Sequence, residues 1–329
     1  MYYPRPILFH QNDMGIKFIS GDYALHQIVF TRSMVGIIFT FIIFGLGDGG
    51  FRFIFTNRLG LHLLRGFGMV IANLCFFTSL VTISLAESVS IFFIAPLLIT
   101  ALSVIFIGEK VELHSWAAVL AGLAGVIIIM RPGIGSFNPA SLLPLGAALA
   151  YALVQITTRK MGEKEKASTM AFYIQINLLL ISALFGLFFW KGQLADPKNS
   201  TLYYLFRSWT LPTWNDILIM FGIGFLSCMG TYFISQAYRI SKAGVIAPFE
   251  YVALPFSIFW SITIFGDWPN YQTWLGIVMI AGAGLFVVFK EVAQGRRNVV
   301  SRAMPCLLYT SDAADERSSV DLGGSRIIK

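Results

Sequence analysis

The sequence predicts an all-α integral membrane protein, in which ten transmembrane helices form two inverted five-helix repeats around a central cavity. Three observations lead to this fold class. The chain of 329 residues is 56% hydrophobic and only 12% charged, with a mean hydropathy of +0.72, whereas a soluble domain carries roughly 25% charged residues. Apolar stretches long enough to cross a bilayer recur along the chain. The two halves of the chain also share a pattern of residues.

The apolar stretches give the number of helices. A window of membrane-span length finds a weak first segment at residues 6–20, which the polar residues 10–13 interrupt, so we expect a truncated or wrongly started first helix. Nine clear spans follow, at residues 24–46, 61–83, 86–107, 113–130, 142–158, 169–190, 214–237, 245–265 and 271–289. Most gaps between them are too short for a folded domain, and the longer gap at 191–213 is expected to lie along the membrane interface.

The basic residues of the gaps set the orientation, because Lys and Arg are enriched in cytoplasmic loops. A cytoplasmic N-terminus leaves outside only Arg131, Lys191, Lys198 and Arg207. It places inside Arg5, Arg52, Arg58, Arg65, Lys110, Arg159, Lys160, Lys164, Lys166, Arg239, Lys242, Lys290, Arg296 and Arg297. We therefore expect both termini to be cytoplasmic.

The repeat is visible at the ends of the fourth and ninth spans. Gly108-Glu109 follows the fourth span and Gly266-Asp267 follows the ninth, and Trp116 and Trp274 stand at the same distance beyond them. Each helix that follows is rich in Gly and Ala, which allow close packing between membrane helices. Because each repeat has five spans, the second copy enters the membrane upside down, an architecture suited to alternating access around a central site.

These features, with the stretches SGDYALHQIVFTRS and APFEYVALPFS…FGDW, resemble the drug/metabolite transporter superfamily and its EamA-type domains over about residues 12–290. The resemblance implies a helical bundle around a central cavity. It also implies transport of small metabolites, amino acids or drugs, commonly by proton coupling or exchange.

The predicted organisation has three parts. Residues 1–130 form the first EamA-like repeat and 131–295 the second, and 296–329 form a cytoplasmic tail. Within that tail, residues 306–329, CLLYTSDAADERSSVDLGGSRIIK, resemble a translated sequencing-library adapter and are expected to be non-native. We leave them out of the functional argument.

The ninth span carries the main candidate site residue, Glu250. A carboxylate inside an apolar helix is costly unless it faces water or a partner, so it is a functional candidate by default. The alternative is a carboxylate near the cytoplasmic end that reaches water or pairs with Arg239 or Lys242. The adjacent Tyr251 points about 100° away on a helix. Pro248 and Pro255 remove backbone donors and are expected to bend the span.

Two basic residues in the spans allow two interpretations each. Arg32 could clamp a substrate carboxylate or phosphate, although pairing with Asp13 or Glu87 is slightly favoured. Lys17 is either a cavity residue or an anchor at the membrane interface, and the sequence does not decide between them.

Uncharged polar residues complete the candidate lining, although packing between helices is the favoured role for each one. The amides are Asn73, Gln155, Gln175, Asn177 and Gln236. Tyr151 and Tyr173 could stack on a substrate. Glu87 and Glu109 lie at span ends, where a helix cap or a loop ion pair is the simplest explanation.

Several function classes are disfavoured. The basic residues do not gather with aromatic platforms, so nucleic-acid binding is not expected. The Gly45–Gly50 match to G-x-G-x-x-G links two membrane helices and has no strand before it, so it is a turn. The three cysteines and four histidines match no metal site, and no cofactor is expected.

The sequence therefore favours a secondary transporter that moves a small metabolite by alternating access. Transport is expected to be coupled to proton movement or to exchange of one solute for another. The alternatives are a channel or membrane receptor and, less favoured, an intramembrane enzyme. The predicted location is the bacterial inner membrane. The expected partners are a small-molecule substrate, protons and the lipid bilayer. The sequence does not decide whether the protein forms a homodimer.

Overall fold

A computed structural model of the chain describes residues 14–45, 51–109, 113–130, 138–189, 191–196, 198, 200–287 and 289–290. Helices and turns make up these residues, and no strand occurs among them. The polar residues 10–13 of the first predicted span and the adapter-like stretch 306–329 lie outside the described part of the chain.

The helices follow one another with short connections. We number them α1 (14–19), α2 (Leu25–Gly45), α3 (Leu59–Ser79), α4 (Leu85–Phe92), α5 (Ala95–Ile107), α6 (Leu113–Met130), α7 (Leu142–Met161), α8 (Ala167–Phe188), α9 (Ser200–Phe206), α10 (Trp214–Ile240), α11 (Ala243–Ile246), α12 (Ala253–Phe265) and α13 (Tyr271–Val287). A 3-10 segment, Ala247–Val252, connects α11 to α12.

The prediction of an all-helical membrane fold is confirmed. Within the described residues, six helical segments are long and apolar enough to cross a membrane, and three shorter apolar helices accompany them. These nine segments match the nine clear predicted spans in order, with ends that differ by a few residues. The short α9 lies in the predicted interfacial gap.

The surface of the bundle is apolar where a soluble protein would be polar. Large hydrophobic side chains point outward from many helices, including Ile105, Leu120 and Val278, each more than 60% exposed. Polar side chains lie inside instead, as Arg65 and Gln175 do with 2% and 0% exposure. This arrangement fits a lipid solvent, which favours apolar contacts outside and requires polar groups to find partners inside.

The repeat found in the sequence is also a repeat of backbone structure. Gly108 ends α5 with φ +76°, and Gly266 follows α12 with φ +66°. The next amide in each half bonds back six residues, from Glu109 to the Ser103 carbonyl at 3.3 Å and from Asp267 to the Ser261 carbonyl at 3.0 Å. This is the Schellman type of helix end, which glycine favours because it adopts positive φ without strain.

The small-residue helices α6 and α13 are in close contact. A Cβ added to Gly276 would lie 2.7 Å from the Gly125 carbonyl oxygen and 2.3 Å from Ile129 Cγ1. Glycine at this crossing therefore allows the two backbones to approach, as the sequence pattern suggested.

The fourth and ninth spans are not the continuous helices that we expected. A turn at Phe93 and Ile94 separates α4 from α5, and the 3-10 segment Ala247–Val252 separates α11 from α12. Proline explains part of each break, since it lacks the backbone donor that the preceding turn requires. Pro96 stands at the start of α5 and Pro248 at the start of the 3-10 segment, while Pro255 falls in the first turn of α12.

Candidate functional site

Glu250 lies in the 3-10 segment, where two tyrosine hydroxyls donate to the same carboxylate oxygen. Tyr238 Oη lies 2.8 Å from Glu250 Oε1 and Tyr151 Oη lies 3.1 Å from it. Both tyrosines are buried, whereas Glu250 keeps partial exposure. Because Tyr151 comes from α7 and Tyr238 from α10, the carboxylate joins three separate elements.

The simpler alternative for Glu250, an ion pair with Arg239 or Lys242, does not form in the described structure. Arg239 Nη1 donates instead to Gln236 Oε1 at 3.0 Å, within α10. The carboxylate is therefore held by neutral phenols rather than by a cation. Such a group can gain or lose a proton without breaking a salt bridge.

A small cavity lies on the other side of Tyr151, between α2, α3, α4, α7, α8 and α10. Its volume is about 50 Å³, and its lining includes Arg32, Asn73, Tyr151 and Thr231 with the aromatic residues Phe76, Phe77 and Phe92. Arg32 Nη2 donates to Asn73 Oδ1 at 2.8 Å, and the guanidinium carbon lies 5.8 Å from the centre of the Phe77 ring. Three of the predicted site residues, Arg32, Asn73 and Tyr151, thus line one cavity.

The free volume of this cavity is far smaller than a metabolite. Sites for organic ligands enclose about 300–1,000 Å³, and a water molecule occupies about 30 Å³ of liquid. The structure therefore shows a bundle that has to open before a metabolite can enter.

Tyr251 points away from the Glu250 carboxylate, as helical geometry suggested. Its ring stacks on Phe93, with centroids 5.8 Å apart and planes 29° apart. Gly284 of α13 makes room for it, since a Cβ there would lie 2.0 Å from Tyr251 Cε2. The Tyr251 hydroxyl is buried and has no hydrogen-bond partner within the described residues.

Arg65 requires a correction. The loop count assigned it to the cytoplasmic side among loop residues, but it lies in the bundle interior with 2% exposure. Its Nε donates to Thr158 Oγ1 at 2.6 Å, its Nη1 to the Met170 carbonyl at 2.8 Å, and its Nη2 to Ser235 Oγ at 2.6 Å. One guanidinium therefore ties α3 to α7, α8 and α10.

The other predicted site residues lie elsewhere. Gln175 Nε2 donates to Ser227 Oγ at 3.2 Å, and Asn177 Nδ2 donates to the Tyr173 carbonyl at 2.7 Å, so both serve contacts between or along helices. Gln155 is buried, and its Oε1 has no partner among the described residues. Gln236 lies at the end of α10 and binds Arg239.

Lys17 lies at a helix end rather than in the cavity. Its Nζ forms an ion pair with Asp267 Oδ2 at 3.3 Å. At the opposite end of the bundle, Glu109 Oε1 lies 3.4 Å from Arg159 Nε, which matches the loop ion pair considered for Glu109.

Sequence reasoning missed Tyr238 and Arg65. Two signals could have found them. Arg65 falls inside the predicted span 61–83, where an ionisable residue is a candidate by default. On α7, a spacing of four and then three residues separates Tyr151, Gln155 and Thr158, which places them on one helix face. This face points into the bundle, where Tyr238 also lies.

The described residues contain no group of three or more His, Cys, Asp or Glu side chains that could hold a metal ion. The arrangement offers instead a partly exposed carboxylate, phenol donors and a small cavity. Tyr151 connects the cavity to the carboxylate, since it lines the cavity and donates to Glu250. The chemistry available here is proton binding and hydrogen bonding rather than covalent catalysis.

Comparison with known proteins gives consistent results. The model of the EamA-like transporter family matches residues 13–131. A riboflavin transporter of Vibrio cholerae is 30% identical over 74% of this chain and 76% of its own length. An S-adenosylmethionine uptake transporter of Rickettsia prowazekii is 23% identical over 85% of this chain and 88% of its own length.

A solved crystal structure shows the same fold. It superposes with a TM-score of 0.62, covering 88% of this chain and 95% of the other, at 17% sequence identity.

Proposed function

We propose that this chain, which belongs to the EamA-like transporter family and is a multi-pass membrane protein, is a secondary transporter that moves a small metabolite by alternating access. In this mechanism, protonation of Glu250 is coupled to the opening of the central cavity. The relatives are named as transporters, so an intramembrane enzyme is not a competing interpretation.

One observation carries the coupling proposal. Tyr151 lines the cavity and donates to Glu250 at 3.1 Å, so a solute that moves this phenol also moves a donor to the carboxylate. Loss of that donor weakens the ionised form of Glu250 and favours proton uptake. Solute binding and proton binding then both affect the hydrogen bond between Tyr151 and Glu250.

The groups around Glu250 favour a proton over a metal cation as the coupling ion. Tyr151 and Tyr238 direct hydroxyl hydrogens at the carboxylate, and Tyr251 is adjacent in the chain. The buried cation Arg65 donates to Thr158, the Met170 carbonyl and Ser235 instead. A metal cation prefers several oxygen ligands with free lone pairs, whereas a proton needs only the carboxylate.

Asymmetry between the repeats also supports a special role for Glu250. Counted back from Gly266 and Gly108, the position equivalent to Glu250 is Phe92. Phe92 lines the cavity and contacts Tyr151, with ring centroids 5.4 Å apart. Tyr151 therefore lies between the two equivalent positions, of which only one carries an ionisable group.

The substrate class follows from the relatives and the lining. Riboflavin and S-adenosylmethionine, which the relatives are named for transporting, both contain heteroaromatic rings. The cavity has aromatic walls at Phe76, Phe77 and Phe92, on which such a ring could stack. We propose a vitamin or nucleoside-like metabolite as the substrate.

The proposed location is the bacterial inner membrane, with both termini in the cytoplasm. The excess of Lys and Arg in alternate loops supports this orientation. Fusion of alkaline phosphatase after residue 109 and after residue 267 tests it, since only the second fusion should be active outside the cytoplasm.

Counterflow in proteoliposomes tests the proposed function. Vesicles containing the purified protein are loaded with excess unlabelled riboflavin, and tracer riboflavin is added outside; a parallel set uses S-adenosylmethionine. A carrier exchanges the two pools, so we expect tracer to accumulate transiently above equilibrium in one set. Protein-free vesicles are the control, and a thermal-shift screen of a metabolite library extends the search to other solutes.

A channel, the second candidate, lets tracer reach equilibrium without an overshoot. The proposal is wrong if every solute that stabilises the protein in the screen enters without an overshoot. It is also wrong if no solute in the library either stabilises the protein or enters the vesicles.

A further inference from the structure

An ion pair stands at each end of the bundle. Lys17 Nζ lies 3.3 Å from Asp267 Oδ2, and Arg159 Nε lies 3.4 Å from Glu109 Oε1. Each pair joins the first half of the chain, α1–α6, to the second half, α7–α13.

The two pairs occupy equivalent positions of the repeat. Lys17 stands eight residues before the first residue of α2 and Arg159 eight residues before the first residue of α8. Glu109 and Asp267 each follow the positive-φ glycine after the fourth or ninth span. The pseudo-two-fold relation that exchanges the halves therefore converts one ion pair into the other, with the sign of each charge kept.

Equivalent positions in an inverted repeat lie at opposite membrane faces. The fourth and ninth spans are five spans apart, so they run in opposite directions, and Glu109 and Asp267 end at opposite faces. The cavity lined by Arg32 and Tyr151 lies within the same bundle. Two equivalent ion pairs thus stand at opposite ends of the helices that surround it.

We propose that Lys17–Asp267 is the outer gate and Glu109–Arg159 the inner gate of one alternating-access cycle. The structure is the occluded state, in which both gates are closed. Opening to one face breaks the pair at that face and keeps the other pair. This inference rests on the proposed transport function, to which it adds the residues that select the face.

The chemistry of the pairs suits a reversible contact. The four side chains are 12–38% exposed, so water can replace each partner, and such pairs contribute little net stability. Each cation also has a second contact. Lys17 Nζ lies 4.7 Å from the centre of the Phe265 ring, and Arg159 Nη1 donates to the Arg239 carbonyl at 3.3 Å.

Thiol accessibility tests the gates without a known substrate. The three native cysteines are replaced by Ser, and Thr231 of the cavity lining is replaced by Cys as a reporter. An impermeant maleimide is applied to right-side-out and to inside-out vesicles. Asp267→Asn breaks the outer pair and Glu109→Gln the inner pair. Each control removes one charge from an exposed neighbour at the same face, a negative charge in Asp22→Asn at the outer face and a positive charge in Lys160→Gln at the inner face.

We expect Asp267→Asn to raise labelling from the outside by about two- to fivefold, the population change that loss of a partly exposed ion pair allows. Glu109→Gln should raise labelling from the inside by a similar factor. The controls should behave as the parent. The exchanged pair Lys17→Asp with Asp267→Lys should restore parental labelling, because it forms the ion pair again with the two charges exchanged.

The gate assignment is wrong if both neutral variants leave labelling at both faces unchanged, or if both shift it towards the same face. Failure of the transport proposal gives a different result. In that case the counterflow overshoot is absent for every solute, while the opposite shifts in labelling can still be measured.

Discussion

The ring of Phe93 stacks on the ring of Tyr251, with centroids 5.8 Å apart. Each residue stands fifteen positions before its glycine, Gly108 or Gly266, so they are equivalent positions of the repeat that contact one another. Two equivalent residues can meet only on or beside the axis that relates the halves. An aromatic pair therefore occupies this axis, and Glu250 is adjacent to it on one side only.

The first prediction concerns Tyr251. Its hydroxyl is buried without a partner in the described structure, so Tyr251→Phe should keep the stack and leave stability equal or raised by about 1 kcal/mol. Tyr251→Ala should lower stability by about 3 kcal/mol, because it leaves a cavity at the axis. Thermal unfolding in detergent measures both variants. A lower melting temperature for Tyr251→Phe would mean that the hydroxyl has a partner after all.

The second prediction concerns the two donors to Glu250. Tyr151→Phe and Tyr238→Phe each remove one hydroxyl and keep the ring, so each should reduce uptake driven by a pH gradient by about ten- to a hundredfold, the effect of one hydrogen bond to a charged group, while counterflow remains. The double variant leaves the ionised carboxylate without these two donors and should behave as Glu250→Gln does. Tyr173→Phe, which removes a hydroxyl bonded to the Ile54 carbonyl, is the control. Full activity in the double variant would show that these bonds do not matter for transport.

Much of the fold could be predicted from the sequence, because lipid makes the signal strong. Apolar length identifies a span, and the repeated glycine and acid at the ends of the fourth and ninth spans identified the repeat. The broken spans could not be located as well. Pro248 indicated one break, but Pro96, which lies just after the turn at Phe93 and Ile94, was not recognised as a sign of the other.

The candidate site was predicted in part. Glu250 stood out because a carboxylate in an apolar helix is costly unless it faces water or a partner. Its partners did not, since Tyr151 and Tyr238 lie 87 residues apart in the sequence and meet only through the packing of α7 and α10. Arg65 was counted with the basic residues of the cytoplasmic side although it falls inside the predicted span 61–83, because counting charges does not distinguish a loop from the first turns of a helix.

The third prediction concerns Arg65. Arg65→Ala removes donors to Thr158, Met170 and Ser235 at once, and buried acceptors left unpaired cost about 1–3 kcal/mol each. We expect the variant to lose its monodisperse peak in size-exclusion chromatography or to melt at a clearly lower temperature. Lys160→Ala on exposed α7 surface is the control and should match the parent. An Arg65→Ala protein with the parental melting temperature would show that this guanidinium does not hold the helices together.

The fourth prediction compares two glycines of α13. Gly276→Ala places a methyl group 2.7 Å from the Gly125 carbonyl oxygen, so α6 and α13 must separate, at a cost of about 1–3 kcal/mol. Gly282→Ala meets nothing within 4 Å and should be neutral or slightly stabilising, because alanine favours helix. Melting temperatures of the two variants should therefore move in different directions. Equal values would contradict the close contact of these helices.

The most direct test of coupling through Glu250 is uptake driven by a pH gradient. Proteoliposomes take up the solute identified by counterflow, with and without an imposed gradient, over a series of external pH values. For the parent and for exposed Asp22→Asn, we expect the rate to change with the gradient. For Glu250→Gln, we expect exchange to remain while the response to the gradient disappears. If Glu250→Gln keeps the parental rate, pH profile and response to the gradient, Glu250 does not couple transport to protons.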